Sequence, residues 1–99
     1  MAQVKTTKRK NINDVPDKLL GAAWGPQKER MDAGIYFPLF IVLVNEGTKR
    51  RRIFYLSADL QTPEMFVPRK QLSKEAKRAG WRGFYYDMAQ AREGLVRIA

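Results

Sequence analysis

One stretch of this chain is apolar at every position, and the elements on either side can be read outward from it. Ile35-Tyr36-Phe37-Pro38-Leu39-Phe40-Ile41-Val42-Leu43-Val44 is β-branched and aromatic at both parities. That pattern predicts a strand covered on both faces. Pro38 has no N–H to give a ladder, so it marks an edge or a bulge near the strand's start. Asn45-Glu46-Gly47-Thr48 predicts a turn, and Arg51 to Leu56 the return strand of a hairpin. Upstream, Val15, Leu19, Leu20 and Ala23 fall on one helical face at i, i+4, i+5 and i+8. They predict a helix opened by Asp14-Val15-Pro16, favoured by Asp17 in its first turn and closed by Gly25-Pro26. Trp24 would pack that helix on the core, and Gln27 to Arg30 allows one more helical turn.

Beyond the hairpin, Asp59 to Glu64 reads as a loop and Met65 to Pro68 as a short extended piece, since the residue before Pro68 is biased away from helix. Ser73 reads as an N-cap, Lys74 to Ala79 as a helix and Gly80 as its stop. Leu72, Ala76 and Ala79 would face inward, with Lys74, Lys77 and Arg78 on the outer face. Trp81 to Met88 predicts a third strand, Ala89 to Gly94 a turn or one helical turn, and Leu95 to Ile98 a final short strand. The fold class expected is α+β, a small antiparallel sheet of three to four strands with two or three short helices. Residues 1–14 lack apolar partners and read as a basic flexible tail, leaving residues 15–99 as a single domain. A core built from about 85 residues gives a small stability margin, which homodimer formation would increase.

Composition removes whole classes of chemistry. The 99 residues include no cysteine and no histidine. Disulfides, thiolate metal sites, a cysteine nucleophile and a Ser-His-Asp triad are therefore excluded. A zinc site would have to be built from carboxylates alone, which zinc rarely accepts. No cofactor is expected. The longest apolar run has ten residues, against the ~20 that a membrane helix requires. Asn11, Asn13 and Asp14 stand where a secretory signal needs its apolar segment. The expectation is a cytoplasmic or nucleoid protein with no membrane partner.

Charge changes the picture most. Nineteen Lys and Arg stand against ten Asp and Glu, a net +9. Fourteen of the nineteen lie in three segments. The first holds Lys5, Lys8, Arg9 and Lys10. The second is Lys49, Arg50, Arg51 and Arg52. The third holds Arg69, Lys70, Lys74, Lys77, Arg78 and Arg82, with Glu75 the one acid among all three. Clustering of this kind attracts polyanions. Aromatic residues interleave with the third segment in Trp81-Arg82-Gly83-Phe84-Tyr85-Tyr86. Trp81 and Phe84 are expected in the core, because a domain this small needs its large side chains inside. Tyr85 and Tyr86 must face opposite ways on a strand, which leaves one of the two to meet a ligand, with Tyr85 the candidate.

Carboxylate chemistry has only formal support. Pro16-Asp17 and Glu75-Ala76-Lys77 carry the letters of a magnesium nuclease motif. However, Glu75 and Lys77 lie in an expected helix, whereas that chemistry needs them on a strand. No glycine-rich phosphate loop occurs.

Residues 66–83, Phe66-Val67-Pro68-Arg69-Lys70-Gln71-Leu72-Ser73-Lys74-Glu75-Ala76-Lys77-Arg78-Ala79-Gly80-Trp81-Arg82-Gly83, precede an apolar strand. This run resembles the end of the nuclease domain in Dam-replacing-type restriction endonucleases. There a proline-basic-leucine segment leads into a small-residue helix that ends in Arg-Ala-Gly-Trp-x-Gly. The resemblance extends over about residues 39–98. It implies a trimmed nuclease-like scaffold with a DNA-facing or structural segment, and it favours DNA over RNA. The family's cysteine-rich segment and its Glu-x-Lys positions have no counterpart here, so no catalytic residue is carried over.

These readings converge on a non-catalytic nucleic-acid-binding domain. Lys49 to Arg52 and Arg69 to Arg82 would contact the backbone, the arm would add reach, and Tyr85 would stack. Two alternatives stand beside it. One is a minimal magnesium-dependent nuclease using Asp14, Asp17, Asp32 or Glu46, and the other is a protein-interaction module for an acidic partner.

Overall fold

The computed structural model describes residues 1–21, 23–69 and 83–99. In chain order its elements are β1 (Gln3–Lys8), β2 (Lys18–Gly21), α1 (Trp24–Asp32), β3 (Leu39–Val44), β4 (Arg51–Leu56), β5 (Phe66–Pro68), β6 (Phe84–Asp87) and β7 (Val96–Arg97). Short 3₁₀ turns cover Ala58–Leu60, Pro63–Met65 and Arg92–Gly94. The chain is α+β, with its strands divided between two sheets. One has the order β1-β3-β4-β7 and the other β2-β6-β5. The helix expected over Ser73 to Gly80 lies outside the described residues. No described helix is long and apolar enough to cross a membrane.

The hairpin forms where the sequence places it. β3 and β4 pair antiparallel, with Leu39 opposite Leu56 and Val44 opposite Arg51. The strand is shorter than the apolar run, starting at Leu39. Pro38 marks neither an edge nor a bulge: it precedes a central strand, and its carbonyl accepts from the Gln3 N–H at 2.9 Å.

Two expectations at the N-terminus are corrected. Residues 1–14 are not a flexible tail, because β1 lies parallel to β3, Gln3 beside Leu39 and Lys8 beside Val44. The Arg9 N–H continues the ladder to the Val44 carbonyl at 2.9 Å. Gln3 to Lys8 has little apolar surface to bury. What orders it is the row of backbone donors and acceptors along β3, which would otherwise be left unpaired. Ile12 and Val15, both buried, anchor the chain that follows.

The helix expected from Val15 to Ala23 is not formed either. Lys18–Gly21 is β2, paired antiparallel with β6. Leu19 turns into the core and Leu20 out to solvent, the period-2 pattern of a strand. Gly21 sits opposite Phe84, and a Cβ at Gly21 would come within 2.3 Å of the Phe84 ring. That close approach fixes glycine there. The helix instead begins at Trp24. Gly25-Pro26 lies in its first turn, where the missing proline N–H costs nothing. α1 ends at Asp32 and is closed by Gly34, φ +73°, with Gly34 N–H to the Met31 carbonyl at 2.9 Å and Ile35 N–H to that of Arg30 at 2.8 Å. This is a Schellman closure.

The core fills the space between the sheets. Leu39, Ile41, Leu43 and Leu56 come from the four-stranded sheet, and Leu19, Phe66, Phe84 and Tyr86 from the other. Phe66, Phe84 and Tyr86 form a cluster with ring centroids 5.2–6.1 Å apart, and Trp24 joins it 5.9 Å from Phe84. Phe84 is thus a core residue, as its size requires. The Tyr86 hydroxyl donates to Gln3 Oε1, tying β6 to β1 across the two sheets. Burial pushes the Tyr86 phenol up to about 12, and the Arg30 charge opposes the rise.

Candidate nucleic-acid interface

The parallel pairing of β1 with β3 has a direct electrostatic result. It carries Lys8, Arg9 and Lys10 to the end of the sheet from which the β3–β4 turn projects. There they meet Lys49, Arg50, Arg51 and Arg52, so basic segments some forty residues apart share one end of the molecule. Asn45 joins the two. Its Nδ2 donates to the Lys10 carbonyl at 3.0 Å, and its Oδ1 accepts from the N–H groups of Gly47 and Thr48 at 2.9 and 3.1 Å. The turn closes with Lys49 N–H to the Asn45 carbonyl at 2.8 Å and Asn45 N–H to that of Arg50 at 2.9 Å. Lys49 adopts φ +61°, an uncommon conformation for a side chain other than Gly, Asn or Asp. A cleft of about 380 Å³ runs between Lys8 to Lys10 and Asn45 to Gly47.

Two carboxylates answer part of this charge. Glu46 pairs with Lys8 at 2.8 Å and Asp14 with Arg9 at 2.9 Å. The hydrogen bond to Glu46 and then its charge hold the Lys8 ammonium above its ordinary pKa. Lys10, Lys49, Arg50, Arg51 and Arg52 have no carboxylate partner among the described residues. Arg52 points toward the inner side of the sheet, opposite Leu43, and its Nε donates to Asn13 Oδ1 at 3.3 Å. Arg51 lies on the outer side with Val44 and is exposed. These five cations outnumber the two paired carboxylates, so this end of the sheet is a positive patch carried on a hydrogen-bonded turn.

The remaining predicted residues are elsewhere. Lys5 projects from the middle of β1 toward the second sheet, its Nζ 5.8 Å from the centroid of the Tyr86 ring. Arg69 follows β5 and hydrogen-bonds through its N–H to the Gly83 carbonyl at 3.0 Å. That places it beside Phe84, at the Gln3 end of the molecule, while Lys8 is at the other end of β1. Tyr85 faces outward on the three-stranded sheet, half-buried, with the Lys18 ammonium 4.9 Å over its ring. Lys70, Lys74, Lys77, Arg78 and Arg82 lie outside the described residues, as does most of the run that carries the family resemblance.

The candidate nuclease carboxylates are each engaged by a different cation. Asp14 meets Arg9, Asp17 meets Arg92 at 2.5 Å, Asp32 meets Lys28 at 2.8 Å and Glu46 meets Lys8. Among the described residues no three acidic side chains stand close enough to hold one metal ion. Two residues that organise the cationic end, Asn13 and Asn45, were not singled out from the sequence. Asn45 had a local signal, its place at the head of a turn, whereas Asn13 had none.

A comparison with protein-family models finds no match to this chain, and a comparison with curated proteins finds none either.

Proposed function

We propose that this protein is a non-catalytic nucleic-acid-binding domain that holds the phosphate backbone, of DNA in preference to RNA, at the cationic end of its four-stranded sheet. The observation that supports this reading is the meeting of Lys8 to Lys10 with Lys49 to Arg52 around a turn fixed by Asn45. Arginine predominates in the hairpin cluster, and its planar fork suits bidentate contact with phosphate oxygens. Lysines beside it add unspecific attraction. Arg50 and Arg51 are the side chains assigned most of the contact, since both are exposed and neither is engaged by a carboxylate among the described residues.

Phosphate contacts release condensed counterions, so affinity must fall steeply as salt rises. The test is a titration of labelled oligonucleotide at several salt concentrations, with the wild type and with Arg50→Ala/Arg51→Ala. The double variant is expected to bind more weakly and to lower the slope of log K against log salt by about 1.5 to 2. Binding that ignores salt, or a double variant with an unchanged slope, contradicts the reading.

A further inference from the structure

The outer face of the four-stranded sheet is apolar and stands away from the core. Register places Val4, Phe40, Val42, Ile53, Tyr55 and Val96 on the same side. Among the described residues none of them belongs to the buried core or is packed against it, and Val4 and Val96 are 61% and 55% exposed. At its centre, on the two middle strands, Phe40 and Tyr55 are direct cross-strand partners with ring centroids 5.1 Å apart. The face runs into the cationic end through Lys8 and Arg51, which share its side of the sheet.

The geometry points to this face as a stacking platform for the bases of single-stranded DNA, whose backbone is held by the cationic end. This assignment rests on the nucleic-acid reading above and names the form of the ligand. Aromatic side chains on a sheet stack unpaired bases because every base has a π face, and a neighbouring positive groove tracks the backbone. A duplex keeps its bases stacked on each other and offers none to a flat surface. A second copy of this chain would bring the same net +9 to a face already bordered by positive charge, so charge complementarity selects a polyanion. Apart from Thr6 and the Tyr55 hydroxyl the platform is hydrocarbon. It gives the thymine methyl aliphatic contact at Val42 and Ile53, a contact that uracil, without that methyl, does not make.

The experiment measures fluorescence anisotropy of labelled oligo-dT, oligo-rU and a mixed-sequence duplex with the wild type, Phe40→Leu, Tyr55→Leu and the Arg50→Ala/Arg51→Ala variant. Leucine retains apolar bulk while removing the ring, and thermal melting checks that each variant folds. Oligo-dT is expected to bind tightest, and each leucine variant to bind it roughly ten-fold or more weakly. As a measurement free of substitution, photo-crosslinking of the wild type to an oligo-dT bearing 5-iodo-deoxyuridine is expected to label Phe40 or Tyr55. The platform is overturned by leucine variants that bind oligo-dT like the wild type, by duplex or oligo-rU bound as tightly as oligo-dT, or by crosslinks confined to the three-stranded sheet. It is also overturned if sedimentation shows a dimer that the leucine variants dissociate without altering oligo-dT binding. In those cases loss of binding in the arginine variant alone leaves the phosphate reading standing. Absence of binding by every probe removes both.

Discussion

The two faces of β3 differ more than its sequence suggests. Leu39, Ile41 and Leu43 are at most 1% exposed, sealed by the second sheet. Phe40, Val42 and Val44, interleaved with them, are half-buried, and among the described residues none of the three belongs to the core. Apolar composition at both parities is usually the mark of a strand covered twice. Here, among the described residues, the fold covers one face and leaves the other as apolar surface. Such surface carries a cost in water that a partner can relieve. The inner face holds the core, and the outer face is the one proposed above to bind.

Substitutions on the two faces should therefore separate. Ile41→Ala removes fully buried hydrocarbon and leaves a cavity, so it is expected to cost about 3 kcal/mol in denaturant unfolding. The next largest effect is expected at high pH, where Tyr86 titrates on the inner side. Its phenol is raised from 10.0 to about 12 in the fold, so the fold favours the neutral form. That contribution is complete below pH 10 and is lost as pH climbs from about 10 to about 12, an effect of roughly 2 kcal/mol. Tyr86→Phe should remove this alkaline step while losing the bond to Gln3, worth about 1 kcal/mol at neutral pH. The smallest effect belongs to the outer face. Val42→Ala should cost less than about 1 kcal/mol, because the site is already partly hydrated. A loss as large as that of Ile41→Ala would mean the outer face is covered.

Local signals carried the hairpin, the extended pieces at Phe66–Pro68 and Phe84–Asp87, and the last short strand. Each is a run of β-branched or aromatic residues bounded by turn formers. The N-terminal third was not legible in the same way. Gln3 to Lys8 forms a strand only because β3, about thirty residues on, offers a parallel edge, and nothing within the segment announces it. Lys18 to Gly21 has apolar spacing compatible with a helix, and pairing with β6 overrides it, with Gly21 making room for the Phe84 ring. The sequence singled out both basic clusters by composition. Their meeting depended on that same parallel pairing and could not be read from either cluster alone. Phe40 and Tyr55 gave no signal of their own, since each looks like one more core aromatic within a strand.

The most direct test follows backbone amide shifts of isotope-labelled protein as oligo-dT is added at low salt. The account predicts shifts at Lys8 to Lys10 and Asn45 to Arg52, extending across the outer positions of β3 and β4. Shifts at Leu20, Val67 and Tyr85 on the other sheet, with the hairpin end unmoved, would contradict it.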